Sequence, residues 1–226
     1  MDTFVLEMIL LLGALVLPGI AHLYIMSTYG KYRKIEAHKT ETGADIAREI
    51  LEKNGLSKIY VVETPGKLSD HYDPKQKTVR LSPEVYNGSS VASLAIAAHE
   101  VGHAIQDKEG NIFMRIRSFI FPVVRIATQF SYIVIFAGFL LGALELFQLG
   151  IALMLVGLFF QLITLPVEFD ASKKAKAELE KINISDRGTQ NGVSKMLHSA
   201  ALTYVAGVLA SAMGIIRLIL IMNRRS

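Results

Sequence analysis

Four long apolar runs are separated along the chain by more polar segments, a pattern typical of membrane proteins. The runs cover residues 4–26, 118–141, 146–165 and 200–222. A helix of about 20 apolar residues can cross a hydrocarbon core about 30 Å thick. The pattern therefore predicts four transmembrane helices, with a tight turn at Gly142, Ala143 and Glu145 joining the second to the third.

The first run could be an uncleaved anchor or a signal peptide. Residues 1–3 provide no basic start, and no small-residue cleavage pattern follows the apolar part. We therefore expect an anchor helix. Three polar residues in the runs, His22, Arg125 and Arg217, are interpreted as interfacial or helix-packing groups without a catalytic role.

The segment between the first two runs, residues 27–117, has the mixed periodicity of a small α+β domain facing water. Helical apolar spacing and a stop at Gly55 predict a helix from Thr40 to Asn54. Short strands are predicted at 59–62 and 78–81, and a second helix at 91–106, with Ser89 or Ser90 as its N-cap. The predicted fold class is a mainly α membrane protein with a small α+β domain.

Composition limits the chemistry that this chain can perform. The chain has no cysteine, which excludes disulfides, thiolate zinc sites and a catalytic thiol, so any metal must bind to His, Asp or Glu. The net charge is only +4, and the basic residues cluster beside the apolar runs. That distribution is typical of membrane flanks and argues against a nucleic-acid partner.

The second predicted helix contains the motif His99-Glu100-Val101-Gly102-His103. Residues four apart lie on the same helix face, so both imidazoles can bind one zinc ion. Glu100 lies on the neighbouring flank, where it can accept a proton from water without being a ligand. The alternative is a surface helix with two incidental histidines.

A catalytic zinc site needs a third protein ligand, and no third histidine follows at short spacing. The candidates are Glu168, Asp170 and His198. Two crossings, by the second and third runs, return the chain to the side of the motif helix, so Glu168 is expected to emerge beside it. Pro166 suits the first turn of a new helix.

Residues 168 and 170 are about 200° apart around such a helix, so only one of them can face the metal. We favour Glu168 as the ligand. Asp170 is expected to pair with Lys173 or Lys174 on the outer face.

The predicted reaction is metal-assisted hydrolysis, in which Glu100 takes a proton from water and passes it to the leaving amine. The possible transition-state stabilisers, among which the sequence does not choose, are His71, Tyr72, His198 and Tyr204. The strand at 77–82 could pair by its edge with an extended peptide, or could be purely structural.

Five motifs, in order along nearly the full chain, resemble those of the bacterial YugP-like neutral zinc metallopeptidases. They are residues 70–74 (DHYDP), 78–82 (TVRLS), 97–106 (AAHEVGHAIQ), 165–172 (LPVEFDAS) and 201–206 (ALTYVA). The resemblance implies a zincin-like domain of gluzincin-like type, with zinc bound by His99, His103 and Glu168 and with Glu100 as catalytic acid/base. The membrane metallopeptidases of the HtpX and CAAX-processing type carry Asp four residues after the ligand Glu, where this chain has Ser172. The chain is therefore at best a distant relative of those enzymes, and their substrates are not carried over.

Two other functions are compatible with parts of the pattern. An intramembrane site-2-type protease would carry the motif inside a spanning helix and a later Leu-Asp-Gly, but the apolar run before His99 is too short and that tripeptide is absent. A non-catalytic membrane protein with a structural or regulatory zinc, acting as partner of a larger assembly, would need a fourth protein ligand such as His71.

The sequence predicts five segments and an orientation. The segments are an anchor (1–26), the zincin-like domain (27–117), a transmembrane hairpin (118–166), a water-facing helix (167–199) and a C-terminal membrane helix with its tail (200–226). Basic clusters beside the motif side place the site in the cytoplasm and the protein in the cytoplasmic membrane. Arg224 and Arg225 would then lie outside, which conflicts with this rule.

The expected partners are the lipid bilayer, a peptide or membrane-protein substrate, and either a regulatory membrane partner or a second copy of the chain.

Overall fold

A computed structural model describes residues 2–37, 41–182, 184 and 187–224. The helices are α1 (Thr3–Tyr32), α2 (Gly43–Lys53), α3 (Pro83–Tyr86), α4 (Val91–Lys108), α5 (Ile112–Leu141), α6 (Leu144–Lys181) and α7 (Arg187–Asn223). The strands are β1 (Tyr60–Glu63), β2 (His71–Asp73) and β3 (Thr78–Leu81). The predicted fold class is confirmed: the chain is a mainly α membrane protein with one small sheet.

Among the described residues, four helices are long and apolar enough to cross a membrane, namely α1, α5, α6 and α7. Helix α4, which carries the histidine motif, is not one of them. This argues against the intramembrane site-2-type alternative. The turn between α5 and α6 contains Gly142 at a φ of 64°, a left-handed conformation that glycine adopts without steric cost.

The structure corrects the prediction that new helices begin after the third run and at the fourth. Pro166 lies inside the unbroken helix α6, and α7 begins at Arg187, well before residue 200. Hydropathy detects the apolar part of a helix and not its whole length, which explains both errors. A proline inside a helix removes its own N–H bond and crowds the carbonyl four residues earlier, but the turns on both sides of Pro166 continue.

The chain divides into two compact units. The first comprises Met1–Leu23, Arg115–Leu165 and Leu202–Ser226, and the second comprises Tyr24–Met114 and Pro166–Ala201. The path therefore leaves the second unit after Met114 and returns to it at Pro166. The helices α1, α5, α6 and α7 each contribute residues to both units.

The first unit buries little apolar surface, as expected for helices whose outer faces contact lipid. Its buried cluster contains Phe147, Ile151 and Ile215. The buried carboxylate of Glu7, near the start of α1, lies 3.6 Å from Nη1 of Arg224, the residue that follows α7. Arg224 is thus paired within the unit, and the predicted orientation stays a prediction. Arg225 lies outside the described residues.

The second unit has a continuous core built on α2, α4 and the sheet. Helix α2 begins after Thr42, whose side chain accepts from the Asp45 backbone N–H in a capping box, and its buried face includes Ile46 and Ile50. The predicted helix is confirmed from Gly43 onward, whereas Thr40 lies outside the described residues.

The three-stranded sheet has the order β1-β3-β2, with β1 parallel and β2 antiparallel to β3. This corrects the expectation that the strand at 77–82 offers an edge to a peptide, because β3 is central and both its edges are paired. The sequence also predicted no strand at β2, since three residues are too few to show a period of two. The edges of the sheet are formed by β1 and β2.

Candidate metal centre

Three side chains from two helices converge within the second unit. His99 and His103 lie one turn apart on α4, with ring centroids 4.8 Å apart and ring planes at 82°. Oε2 of Glu168, on α6, is 3.2 Å from Nε2 of His99 and 3.6 Å from Nε2 of His103. One potential ligand atom from each of the three residues lies within 4.8 Å of the others.

Because the side chains of this contact are largely buried, the negative charge of Glu168 needs a compensating partner. Glu168 is 2% exposed and His103 is 7% exposed. A buried carboxylate is costly unless a cation or hydrogen-bond donors compensate its charge. The two imidazole nitrogens that face Glu168 can provide this compensation only when they carry a proton or share a bound cation with the carboxylate.

The other nitrogen of each ring is held by a polar side chain. Nδ1 of His103 lies 3.0 Å from Oε1 of Gln106, and Nδ1 of His99 lies 3.3 Å from Oγ of Ser172. Histidines that bind metals commonly donate their second N–H to such a partner, which leaves the first nitrogen free for the metal. The arrangement at both rings has this form.

The donor set fits zinc in composition and spacing. Imidazole nitrogen and carboxylate oxygen are ordinary zinc ligands, and donor atoms about 2.0–2.2 Å from a tetrahedral ion are roughly 3.4 Å apart. The two distances from Glu168 to the imidazole nitrogens, 3.2 and 3.6 Å, bracket that spacing. Since the three ligand atoms lie within 4.8 Å of one another, His99, His103 and Glu168 could hold zinc once the more distant pair draws closer.

The close contact between α4 and α6 depends on Gly102, the fourth residue of the motif. A Cβ atom placed there would lie 2.6 Å from the backbone oxygen of Ala171. Because the obstacle is backbone, it cannot move aside as a flexible side chain could. Only glycine at this position allows the two ligand-bearing helices to approach so closely.

Replacing Gly102 by alanine is therefore expected to destabilise the protein by about 1–3 kcal/mol, the usual cost of overpacking. The thermal unfolding of purified zinc-free protein would measure this change. Gly30→Ala is a matched control, because Gly30 lies in a helix of the same unit and a Cβ there meets nothing within 4 Å. Equal melting temperatures for the two variants would contradict this prediction, because they would show that α6 can move away from the added Cβ without a loss of stability.

Glu100 lies beside the three residues on α4 and is buried. Burial raises the pKa of Glu100 to about 7, repulsion from Glu168 and Asp70 acts in the same direction, and His99 and a hydrogen bond from the Tyr72 backbone N–H oppose it. A carboxyl group with a pKa near neutrality can both accept and return a proton.

The four residues named as possible transition-state stabilisers lie outside this group of three. The Tyr72 hydroxyl donates to Asp107 at 2.7 Å, and the His71 ring is exposed and within 2.7 Å of the Ser69 carbonyl. His198 and Tyr204 are exposed on α7. The role predicted for these residues stays a prediction.

Asp170 lies outside the group of three, but its carboxylate has a partner that the sequence did not suggest. Its Oδ2 accepts from Nε2 of Gln106 at 2.8 Å, whereas Nζ of Lys174 is 3.9 Å away. The expected pairing with Lys174 is therefore only the weaker of its two contacts.

Sequence reasoning missed Gln106 and Ser172 as parts of the site. Gln106 follows His103 by three residues and Ser172 follows Glu168 by four, so each lies one turn beyond a candidate ligand. That spacing was visible in the sequence. Polar residues one turn apart are too common on helices, however, for spacing alone to select these two.

Comparison with known proteins agrees with this geometry. The profile of a protein family described as "Putative neutral zinc metallopeptidase" matches residues 7–223. The chain belongs to this family. A Bacillus subtilis (strain 168) protein named "Putative membrane protease YugP" is 44% identical to it over 212 residues, which is 94% of each chain. No solved structure gives a significant match.

Membership of the zinc metallopeptidase family confirms the resemblance that the sequence motifs indicated. The four apolar helices and the similarity to a protein named as a membrane protease identify the chain as a multi-pass membrane protein. The family description names zinc, and the three converging side chains form a possible site for it.

Proposed function

We propose that this protein is a zinc-dependent metalloendopeptidase of the HEXXH, gluzincin-like type in the cytoplasmic membrane. The observation that carries the proposal is the convergence of three candidate ligand side chains, two imidazoles and one carboxylate, with the second nitrogen of each imidazole held by a polar side chain. His99, His103 and Glu168 would hold the zinc ion. Zinc bound there would polarise the scissile carbonyl and lower the pKa of water beside it to about 7.

Glu100 would act as general base and then as general acid. Its carboxylate takes a proton from the attacking water and delivers it to the nitrogen of the leaving amine. The backbone N–H of Tyr72 orients this carboxylate, which leaves the rest of the group available for proton transfer. Glu100 is thus the catalytic residue of the proposal, and the two histidines and Glu168 are ligands.

The edge strand β2 is a better candidate for binding an extended substrate than β3. Tyr72, its middle residue, pairs with Val79 on one side and hydrogen-bonds through its N–H to Glu100. A peptide lying near this edge would be close to the proposed base, as in strand addition. Among the proposed stabilisers, Tyr72 could use its hydroxyl only by giving up the bond to Asp107.

The number of ligands favours catalysis over a structural role. Structural zinc sites are closed by four protein ligands, whereas catalytic sites have three and one open position. Within the described ranges, the possible metal site consists of three residues. We therefore propose hydrolysis in preference to a non-catalytic zinc protein, and a site that faces the cytoplasm close to the membrane surface, since Glu168 follows the third apolar run by three residues.

Metal removal is the direct test of this function. The purified full-length protein in detergent is expected to contain about one zinc ion per chain and to hydrolyse a denatured protein substrate. A chelator should abolish hydrolysis, and added zinc should restore it, because the catalytic site has an open position. Full zinc content without any hydrolysis of diverse peptides, soluble or membrane-derived, would support the structural-zinc alternative instead.

A further inference from the structure

Gln106 is a fully buried polar side chain (0% exposed) to which the hydrolysis described above assigns no role. It lies one turn after His103 on α4 and extends towards α6. Its side chain makes three hydrogen bonds, one to the candidate ligand His103 and two to groups beside the candidate ligand Glu168. Its amide nitrogen donates to the Val167 carbonyl and to Oδ2 of Asp170, each at 2.8 Å.

These two acceptors determine which way the amide points. Because Nε2 faces two oxygens, the amide oxygen must face His103, whose Nδ1 is 3.0 Å away. An amide oxygen can only accept, so Nδ1 of His103 carries the proton. In the neutral ring the other nitrogen, Nε2, then presents its lone pair towards Glu168 at 3.6 Å, as a metal ligand must.

The same amide also attaches α6 to α4 close to the candidate ligand Glu168. Val167 precedes Glu168 directly and Asp170 follows it by two residues, so the two bonds from Gln106 lie on both sides of it. Breaking them would free this turn of α6 to move relative to the imidazoles. One side chain thus acts on two of the three candidate ligands.

We propose that Gln106 is a positioning residue of the metal centre, which selects the metal-binding tautomer of His103 and holds Glu168 in place. This inference rests on the proposed function, because it assumes that these residues bind zinc. It predicts that loss of Gln106 lowers zinc affinity beyond any general loss of stability. Removing such a partner of a metal-binding histidine typically lowers affinity by about 10–100-fold.

Gln106→Met tests the proposal, because methionine has a similar shape and offers neither an amide oxygen nor N–H donors. Zinc affinity of the full-length protein in detergent would be measured by competition with a chromophoric chelator. We expect it to fall by about 10–100-fold and the visible spectrum of the cobalt-substituted protein to change. A shift in the cobalt spectrum reports ligand geometry, which a purely structural residue would not alter.

Asn54→Leu is the matched control. The Asn54 amide also joins two helices of the second unit, donating to Glu178 on α6 at 2.7 Å and to the Ile50 carbonyl at 2.9 Å, and neither acceptor is a candidate ligand. This variant is expected to lower the melting temperature and to leave zinc affinity and the cobalt spectrum unchanged. In Gln106→Asn, which retains the amide but is one methylene too short, zinc affinity should also fall at least about tenfold. This variant replaces Gln106→Met in the test if the methionine variant does not fold.

The outcomes separate this inference from the proposed function. If the unaltered protein binds zinc and hydrolyses peptides, but both Gln106 variants bind zinc within twofold of it, the positioning role is wrong and the peptidase stands. If the unaltered protein binds no zinc, or Glu168→Gln binds it equally well, the proposed function fails and the positioning role fails with it.

Discussion

Replacing Glu100 by glutamine is expected to lower peptide hydrolysis by about 10²–10⁴-fold, the usual contribution of a general acid/base, while zinc binding is retained. Glutamine has nearly the shape of glutamate and its amide oxygen can still accept from the Tyr72 N–H, so the helix should not change. It cannot take a proton from water. Glu100 is not among the three converging ligand residues, and zinc content should therefore stay near one per chain.

The measurement is the initial rate of hydrolysis by the two purified proteins, with zinc determined on the same samples. Glu109→Gln serves as control, because Glu109 ends the same helix as an exposed residue paired with Lys174. It is expected to retain the full rate. Residual hydrolysis above about one tenth of the normal rate in Glu100→Gln would exclude Glu100 as the general base, and loss of zinc would instead identify it as a ligand.

Replacing Glu168 by glutamine is expected to weaken zinc binding by more than about 100-fold. Loss of a group that merely supports a ligand costs about 10–100-fold, and a ligand itself should cost more. The buried carboxylate faces both imidazoles, so its charge would compensate that of a bound cation. An amide retains the size of the side chain but provides no charge.

Chelator competition gives the affinity, and circular dichroism of the zinc-free proteins tests whether the helices persist. Glu180→Gln is a suitable control, since Glu180 is exposed on the same helix three turns away from the site. Unchanged zinc affinity in Glu168→Gln would show that the metal lies elsewhere. Hydrolysis should disappear together with zinc in this variant, in contrast to Glu100→Gln.

Features that depend on neighbours in the sequence could be predicted well. The apolar runs identified the four membrane helices, because spanning a bilayer requires about 20 consecutive apolar residues. The start of α4 at Val91 also followed from local rules, which left Ser89 and Ser90 open as its cap, and the structure has Ser90 in that position. The convergence of His99 and His103 required only the rise and pitch of one helix.

Features that depend on where a helix continues beyond its apolar part, or on a distant strand partner, were predicted poorly. The sequence divided α6 at Pro166 because the hydropathy falls there and proline often begins a helix. The helix continues, and its polar half belongs to the second unit. Strand β2 was missed because its pairing with β3 is decided by a distant partner and not by its own three residues.

The sequence by itself determined the membrane class, the absence of thiolate chemistry and a pair of imidazoles on one helix face, because composition and helix pitch are local properties. Only the tertiary structure decided that Glu168, and not Asp170 or His198, lies against those rings, and that Gln106 and Ser172 hold their other nitrogens. The contacts of His99 with Glu168 and of Gln106 with Val167 each join residues more than sixty positions apart in the sequence. The contact between Gln106 and His103 is local. The contacts between the two helices exist because Gly102 lets α4 and α6 approach to backbone contact, a distance that no local pattern encodes.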